Sequence, residues 1–294
     1  MTNTPGTAIK AYKNQKFLGS PDARILRIML EYLEPLSRFH GHGIEDTIVF
    51  FGSSRFRSSE AVKQDIDRLQ GHAEPAAQGH AEPAAQDRRT KLSVLNHELT
   101  MSRYYDEAVI LSRKLTEWSK GLGRGQKRFI ICTGGGPGIM EAANRGASEA
   151  AGQSIGLNIT LPQEQSPNPF VTSDLSFEFH YFFMRKFWLV YLAKALVIFP
   201  GGFGTLDELF EVLTLMQTKR SRKIMPVVVY GTDYWSEVIN FDALVDKGAI
   251  AHEDLKLIHF SNDPEEAFSY LARTLTQLHL RGSKNSPANG NHRP

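Results

Sequence analysis

Short apolar runs alternate with helical patterns along most of this 294-residue chain, and two of those runs end in glycine clusters. No other feature narrows the choice of fold as much. The runs are "DTIVFFG", "RFIICTG", "SIGLNI", "LSFEFH", "ALVIFP", "KIMPVVVY" and "LKLIHF". Strands that are apolar throughout, rather than every second residue, must be covered on both faces. Helical stretches between them supply the cover, so the pattern predicts an α/β fold with a parallel sheet and helices on both faces. In such sheets ligands bind beyond the carboxyl ends of the strands. Ser53, directly after the first strand, is therefore a candidate ligand contact, together with its neighbours Ser54 and Arg55.

Outside this core the pattern changes. Residues 1–20 lack periodicity and read as a mobile N-terminus. Ser20-Pro21 is a helix-start signal. Ile25, Ile28, Met29, Leu33 and Leu36 then recur at helical spacing, so 21–44 reads as an added helix packed on a main domain over 45–280. Residues 71–86 repeat "GHAEPAAQ" twice, which reads as a flexible, duplicated surface insertion, with a helix expected from about 91 to 120. The tail, 281–294, has the composition of a disordered segment.

Composition removes several function classes. The formal charge of +2 gives no field for a nucleic-acid or membrane partner. The most apolar run, "KFWLVYLAKALVIFP", is too short to span a bilayer and is broken by Lys194. The single cysteine, Cys132, cannot form an intrachain disulfide, which points to the cytoplasm. It reads as a small buried residue rather than a nucleophile.

The chemistry lies in two glycine loops. In "TGGGPGIME" a GxGxxG reading from Gly134 fails at Ile139, and a P-loop lysine is missing. What is left is a strand-loop-helix turn whose bare amides, at Gly135 and Gly136, can approach a phosphate or ribose. The second loop, "PGGFGTLDE", supplies Gly201, Gly202, Gly204 and the Thr205 hydroxyl as a phosphomonoester cradle. With a helix starting near Thr205, Glu208 falls in its first turn. There it either tips toward the ligand or faces outward as a partner of the helix dipole. Arg185 and Lys186 are adjacent cations in an aromatic helix, "YFFMRKFWLVYLA". They either snorkel to water or face the same crevice as Glu208.

Taken in order, "GGGPGIMEAANRGA", the "RK" pair and "PGGFGTLDE" resemble the LONELY GUY family over roughly 45–280. These are cytokinin riboside 5′-monophosphate phosphoribohydrolases, whose old label is "possible lysine decarboxylase". The resemblance implies a Rossmann-like doubly wound sheet and hydrolysis of the N-glycosidic bond of a purine nucleoside 5′-monophosphate. It implies Arg185 and Glu208 as the catalytic pair. The glycines and Thr205 would hold the 5′-phosphate, with no metal or redox cofactor, in a homodimer or an assembly of dimers; Lys186 and, from its strand-end position, Ser53 are further candidate substrate contacts. A carboxylate suits this reaction because positive charge develops at the ribose C1′. The chain departs from the family where Phe182 and Phe183 stand in place of the usual Met-His. Plain AMP, or another purine monophosphate, is therefore a candidate substrate beside prenylated adenine nucleotides. A nucleotide sensor or cofactor carrier is the alternative from another class. A pyridoxal-phosphate decarboxylase is disfavoured because no lysine has a Schiff-base context.

Overall fold

In the computed structural model, the residues described are 8–71, 81–123, 127–159, 167–220 and 225–280. The seven strands are β1 (Thr47–Phe51), β2 (Ile130–Thr133), β3 (Ser154–Ile159), β4 (Ser176–Phe179), β5 (Ala193–Ile198), β6 (Val227–Tyr230) and β7 (Ile258–Ser261). They form one sheet in the order β4-β3-β2-β1-β5-β6-β7, with every pairing parallel. The chain builds outward from β1 to β4, then returns to the other side of β1 with β5. The topological switch point therefore lies between β1 and β5, and the crevice opens at their carboxyl ends.

The helices are α1 (Gln15–Leu18), α2 (Arg24–Gly41), α3 (Ser59–Gly71), α4 (Ala81–Lys120), α5 (Ile139–Glu149), α6 (Phe182–Tyr191), α7 (Phe203–Gln217), α8 (Thr232–Val238), α9 (Phe241–Asp246) and α10 (Pro264–Leu275). Successive side chains of a strand point to opposite faces. In β1, Val49 and Phe51 enter a core with residues of α2, α6, α7 and α8, while Ile48 and Phe50 enter one with α4, α5 and α10. Both faces are covered, as the uninterrupted apolar strands required. At the opposite end of the sheet Arg128 closes on the fully buried Asp46 at 2.6 Å, tying the entries of β1 and β2 together.

Several boundaries differ from the sequence reading. Residues 8–20 carry structure: Asn14 accepts from the amide of Phe17, and Arg27 donates to the carbonyls of Leu18 and Ser20. Residues 1–7 and 281–294 lie outside the described residues, as do 72–80 of the duplicated segment. The rest of that segment, 81–86, begins α4 rather than continuing a loop. Ala and Glu favour helix. Helix α3 had no expectation at all; Val62 is its one buried residue among those described. After β6 the chain forms two helices, α8 and α9, because Asn240 accepts from the amide of Ala243 and starts α9 afresh.

Helix α2 forms where expected, but its inward row is Ile28, Tyr32, Leu36 and Phe39. Ile25, Met29 and Leu33 lie on the outside, with Leu26 and Leu30 beside them. The apolar surface of this helix is wider than one sheet face can cover.

Candidate functional site

At the switch point the loops after β1, β2 and β5 and the faces of α6 and α7 enclose a cavity of about 610 Å³. Tight backbone packing sets its floor. Gly138 has φ of 71°, and a Cβ there would sit 2.3 Å from the carbonyl oxygen of Ser53. The amide of Ile139 donates to that same oxygen at 3.0 Å. The β2 loop is fixed from below by Asn168, whose side-chain amide donates to the carbonyls of Gly135 and Gly136 at 3.0 Å.

The two glycine loops are not equivalent. Gly135 faces inward: its N–H donates to Thr133 Oγ1 and its carbonyl is held by Asn168, so it does not line the cavity. Gly136 does, together with Gly134. In the β5 loop, Gly202, Gly204 and Thr205 line the cavity. Helix α7 starts at Phe203, two residues earlier than expected, so Gly204 and Thr205 belong to its first turn and Glu208 to its second. Its first intrahelical bond from the loop is Leu206 N–H to Gly202 O at 3.0 Å. The amides of Phe203, Gly204 and Thr205 precede it and point out of the helix end, where an anion is favoured. A Cβ at Gly202 or Gly204 would meet nothing within 4 Å, so protein packing does not account for either glycine. Bare backbone facing an open cavity leaves room for a ligand to approach the amides. Gly201 faces the other way, into a neighbouring cavity of about 750 Å³ that shares Ser53, Arg55 and Gly202 with the first. Its carbonyl accepts from the Tyr234 hydroxyl.

Glu208 points inward. It is 2% exposed, lines the cavity, and neither carboxylate oxygen has a hydrogen-bond partner among the described residues. Burial pushes its pKa up to about 7, against the pull of Lys186 and Arg185, which lower it. Such a group is expensive to bury and is seldom left unsatisfied without a function.

Arg185 and Lys186 part company. Arg185 lines the cavity, its Nε has no hydrogen-bond partner among the described residues, and burial lowers its pKa. Its guanidinium lies 5.0 Å from the ring centre of Phe182. Lys186 does not line the cavity. Its ammonium sits 2.6 Å from Asp207, 2.7 Å from Glu211 and 3.5 Å from Glu208.

The remaining wall is apolar, made by Phe51, Met140, Ile159, Phe182 and Leu189, with Asn158 among them. Asn158, with its amide oriented to donate, reaches the carbonyls of Gly134 and Gly135 at 3.2 and 3.3 Å. Motif reading missed these residues, apart from Phe182, because they come from strand ends and helix faces with no pattern of their own. Their positions at the carboxyl ends of β1 and β3 were the available signal. Phe183, the other departure from the family pattern, does not line the cavity and is 51% exposed. Among the described residues there is no group of three or more potential metal ligands.

Fold and site together define a Rossmann-like α/β protein with a glycine-bearing helix N-terminus, a buried carboxylate and an arginine at one switch-point crevice. A family model described as "Possible lysine decarboxylase" matches residues 140–271 of this chain. Among curated relatives, the pyrimidine/purine nucleotide 5′-monophosphate nucleosidase of Escherichia coli is 33% identical over 116 residues, covering 36% of this chain and 25% of the relative. The cytokinin riboside 5′-monophosphate phosphoribohydrolase LOG of Oryza sativa is 28% identical over 159 residues, covering 53% of this chain and 60% of that one. The match thus spans a quarter of the first relative and somewhat over half of the second. Among solved structures, the molybdenum cofactor binding protein of Rippkaea orientalis aligns with a TM-score of 0.41 at 21% identity, over 59% of this chain and 88% of that one.

Proposed function

We propose that this protein is a phosphoribohydrolase that cleaves the N-glycosidic bond of a purine nucleoside 5′-monophosphate to free base and ribose 5-phosphate. The observation that carries the reading is Glu208: a buried carboxylate without hydrogen bonds among the described residues, lining the same cavity as the N-terminal end of its own helix. The names of the curated relatives support it.

The 5′-phosphate sits at the start of α7, against the amides of Phe203, Gly204 and Thr205 and the Thr205 hydroxyl. Arg185, held in the same cavity, supplies the balancing charge. Phosphate binding fixes the sugar, and this remote contact contributes to the rate by positioning. The ribose then lies toward Glu208 and the base against the apolar wall. As the C1′–N bond breaks, positive charge grows at C1′, and ionised Glu208 stabilises it in a site with little water. A water molecule adds to C1′, and its proton leaves by way of the carboxylate or the departing base. Phe182 on the base side favours a flat ring over a specific polar contact, so AMP is the first substrate to try.

The proposed assembly is a homodimer or a set of dimers. The exposed row Ile25, Met29 and Leu33 on α2 and the exposed Phe183 on α6 are the apolar surface a second copy would cover. Light scattering gives the mass directly. The single cysteine supports a cytoplasmic location; separately, no described helix is long and apolar enough to cross a membrane.

The test is turnover. Purified protein is incubated with AMP and, separately, isopentenyladenosine monophosphate, and free base and ribose 5-phosphate are measured. Release from either, lost in Glu208→Gln, is the expected result. Tight AMP binding with no base released from any purine monophosphate would replace the enzyme with a sensor or carrier.

A further inference from the structure

Lys186 follows the arginine directly in sequence, and the motif alone treats both cations as partners of the substrate. The fold separates them. An α-helix turns about 100° per residue, so neighbours cannot share a direction. Arg185 enters the cavity, while Lys186 is 15% exposed and closes onto three carboxylates of α7. Two of these contacts are short and one is longer: Asp207 at 2.6 Å, Glu211 at 2.7 Å and Glu208 at 3.5 Å. Asp207 and Glu211 are four residues apart, one helical turn, so they hold the ammonium from two sides. Glu208 lies between them in sequence, with its carboxylate directed away into the cavity.

The charges around Glu208 can be counted by element. Helix α6 offers Arg185 and Lys186; α7 offers Asp207 and Glu211; the β1 loop offers Arg55 across the cavity. Without Lys186, three acids in five residues of α7 would face one buried arginine. Like charges at that density disfavour ionisation of the most buried member, which is Glu208.

We propose that Lys186 is a positioning residue: anchored by Asp207 and Glu211, its ammonium keeps the buried Glu208 able to ionise and aimed into the cavity, and it makes no contact with the nucleotide phosphate. This rests on the phosphoribohydrolase reading for its consequence in catalysis, but the electrostatic claim stands apart from turnover.

The experiment reads Glu208 itself. Protein labelled with ¹³C at the glutamate carboxyls is titrated by NMR, and Glu208→Gln assigns the resonance. In Lys186→Met the Glu208 midpoint should move up by about one pH unit or more, and Lys186→Arg should bring most of it back. Glu211→Gln removes a neighbouring negative charge and should move the midpoint down, an opposite sign that stays readable if Lys186→Met does not fold. AMP affinity, measured by calorimetry, should change by less than about threefold in Lys186→Met. An unmoved midpoint in Lys186→Met, or in Glu211→Gln when that is the readable variant, overturns the proposal. So does a loss of AMP affinity of about tenfold or more, whatever the midpoint does, because that is the mark of a phosphate ligand. Base release from AMP by the unmodified protein is scored separately. Its absence rejects the phosphoribohydrolase and leaves the titration to decide the role of Lys186.

Discussion

Glu208→Gln should abolish turnover, and it should also make the protein more stable in a way that depends on pH. In the fold Glu208 has a pKa of about 7, against an ordinary value of 4.5. Folding therefore favours the protonated form. The stability associated with this group is fully present below about pH 4.5 and is lost as the pH rises through about 7. At 1.36 kcal/mol for each pH unit of separation, forcing the group to ionise in the folded state costs about 3 kcal/mol above pH 8. Glutamine has nearly the same shape and cannot ionise, so it escapes that cost. Its amide still lacks a partner, which costs about 1–3 kcal/mol, but this penalty is the same at every pH. The difference in stability between the variant and the parent is therefore the clean quantity. Lys186 keeps its two short contacts with Asp207 and Glu211 in the variant, so the surroundings are preserved.

Urea unfolding of both proteins at pH 5, 6, 7 and 8 measures it. The variant should gain on the parent by about 2.5 kcal/mol between pH 5 and pH 8. A difference that is flat with pH would refute the reasoning, because it would mean that Glu208 is already hydrated or hydrogen-bonded and carries no strained charge.

Turnover of AMP by the unmodified protein should rise with pH through about 7 if ionised Glu208 is the working form. The kcat at pH 6 should be about a tenth of the plateau, measured as base released under saturation. A glycine pair separates architecture from binding. Gly138→Ala puts a Cβ 2.3 Å from the Ser53 carbonyl at a backbone angle that only glycine adopts readily, so it should lose about 3 kcal/mol or more by urea unfolding. Gly202→Ala meets nothing in the protein, so its unfolding midpoint should stay put while KM for AMP rises about tenfold or more, since the new methyl enters the phosphate cradle. Cys132 is buried and its thiol pKa is pushed well up, so a thiol reagent should fail to label it in the native protein and label it fully in urea.

Most strands among the described residues were legible as largely apolar runs, whereas β4 (SFEF) and β7 (IHFS) carry polar residues and stand at the sheet's edges. Helix α3 was not legible, because it is polar over most of its length and Val62 is its one buried residue among those described. The opposite happened in α2. Its apolar positions announced a helix, but nothing in sequence separates the row that meets the sheet from the row left outside, since both consist of the same residue types. Within the site, spacing brought out the glycine loop, Arg185 and Glu208, which the structure does bring to one cavity. Adjacency misled at Lys186 and Gly135. Two neighbours in a motif are commonly assigned one role, whereas a helix or a tight turn sends them to different surroundings.

The site's electrostatics account for this division. A carboxylate that must oppose a developing cation works best where water is scarce, yet scarcity of water is what keeps it protonated. A cation placed directly against it would restore ionisation but would cancel the charge the reaction needs. The structure sits between these limits. Burial raises Glu208 most, with Glu211 and Asp207 adding to it; Lys186, at 3.5 Å and already committed to Asp207 and Glu211, draws it back together with Arg185. Arg185 is left free of any carboxylate within 4.0 Å among the described residues. It can therefore answer the charge of a phosphate. In the proposed reaction, one cation serves the acid and the other the ligand.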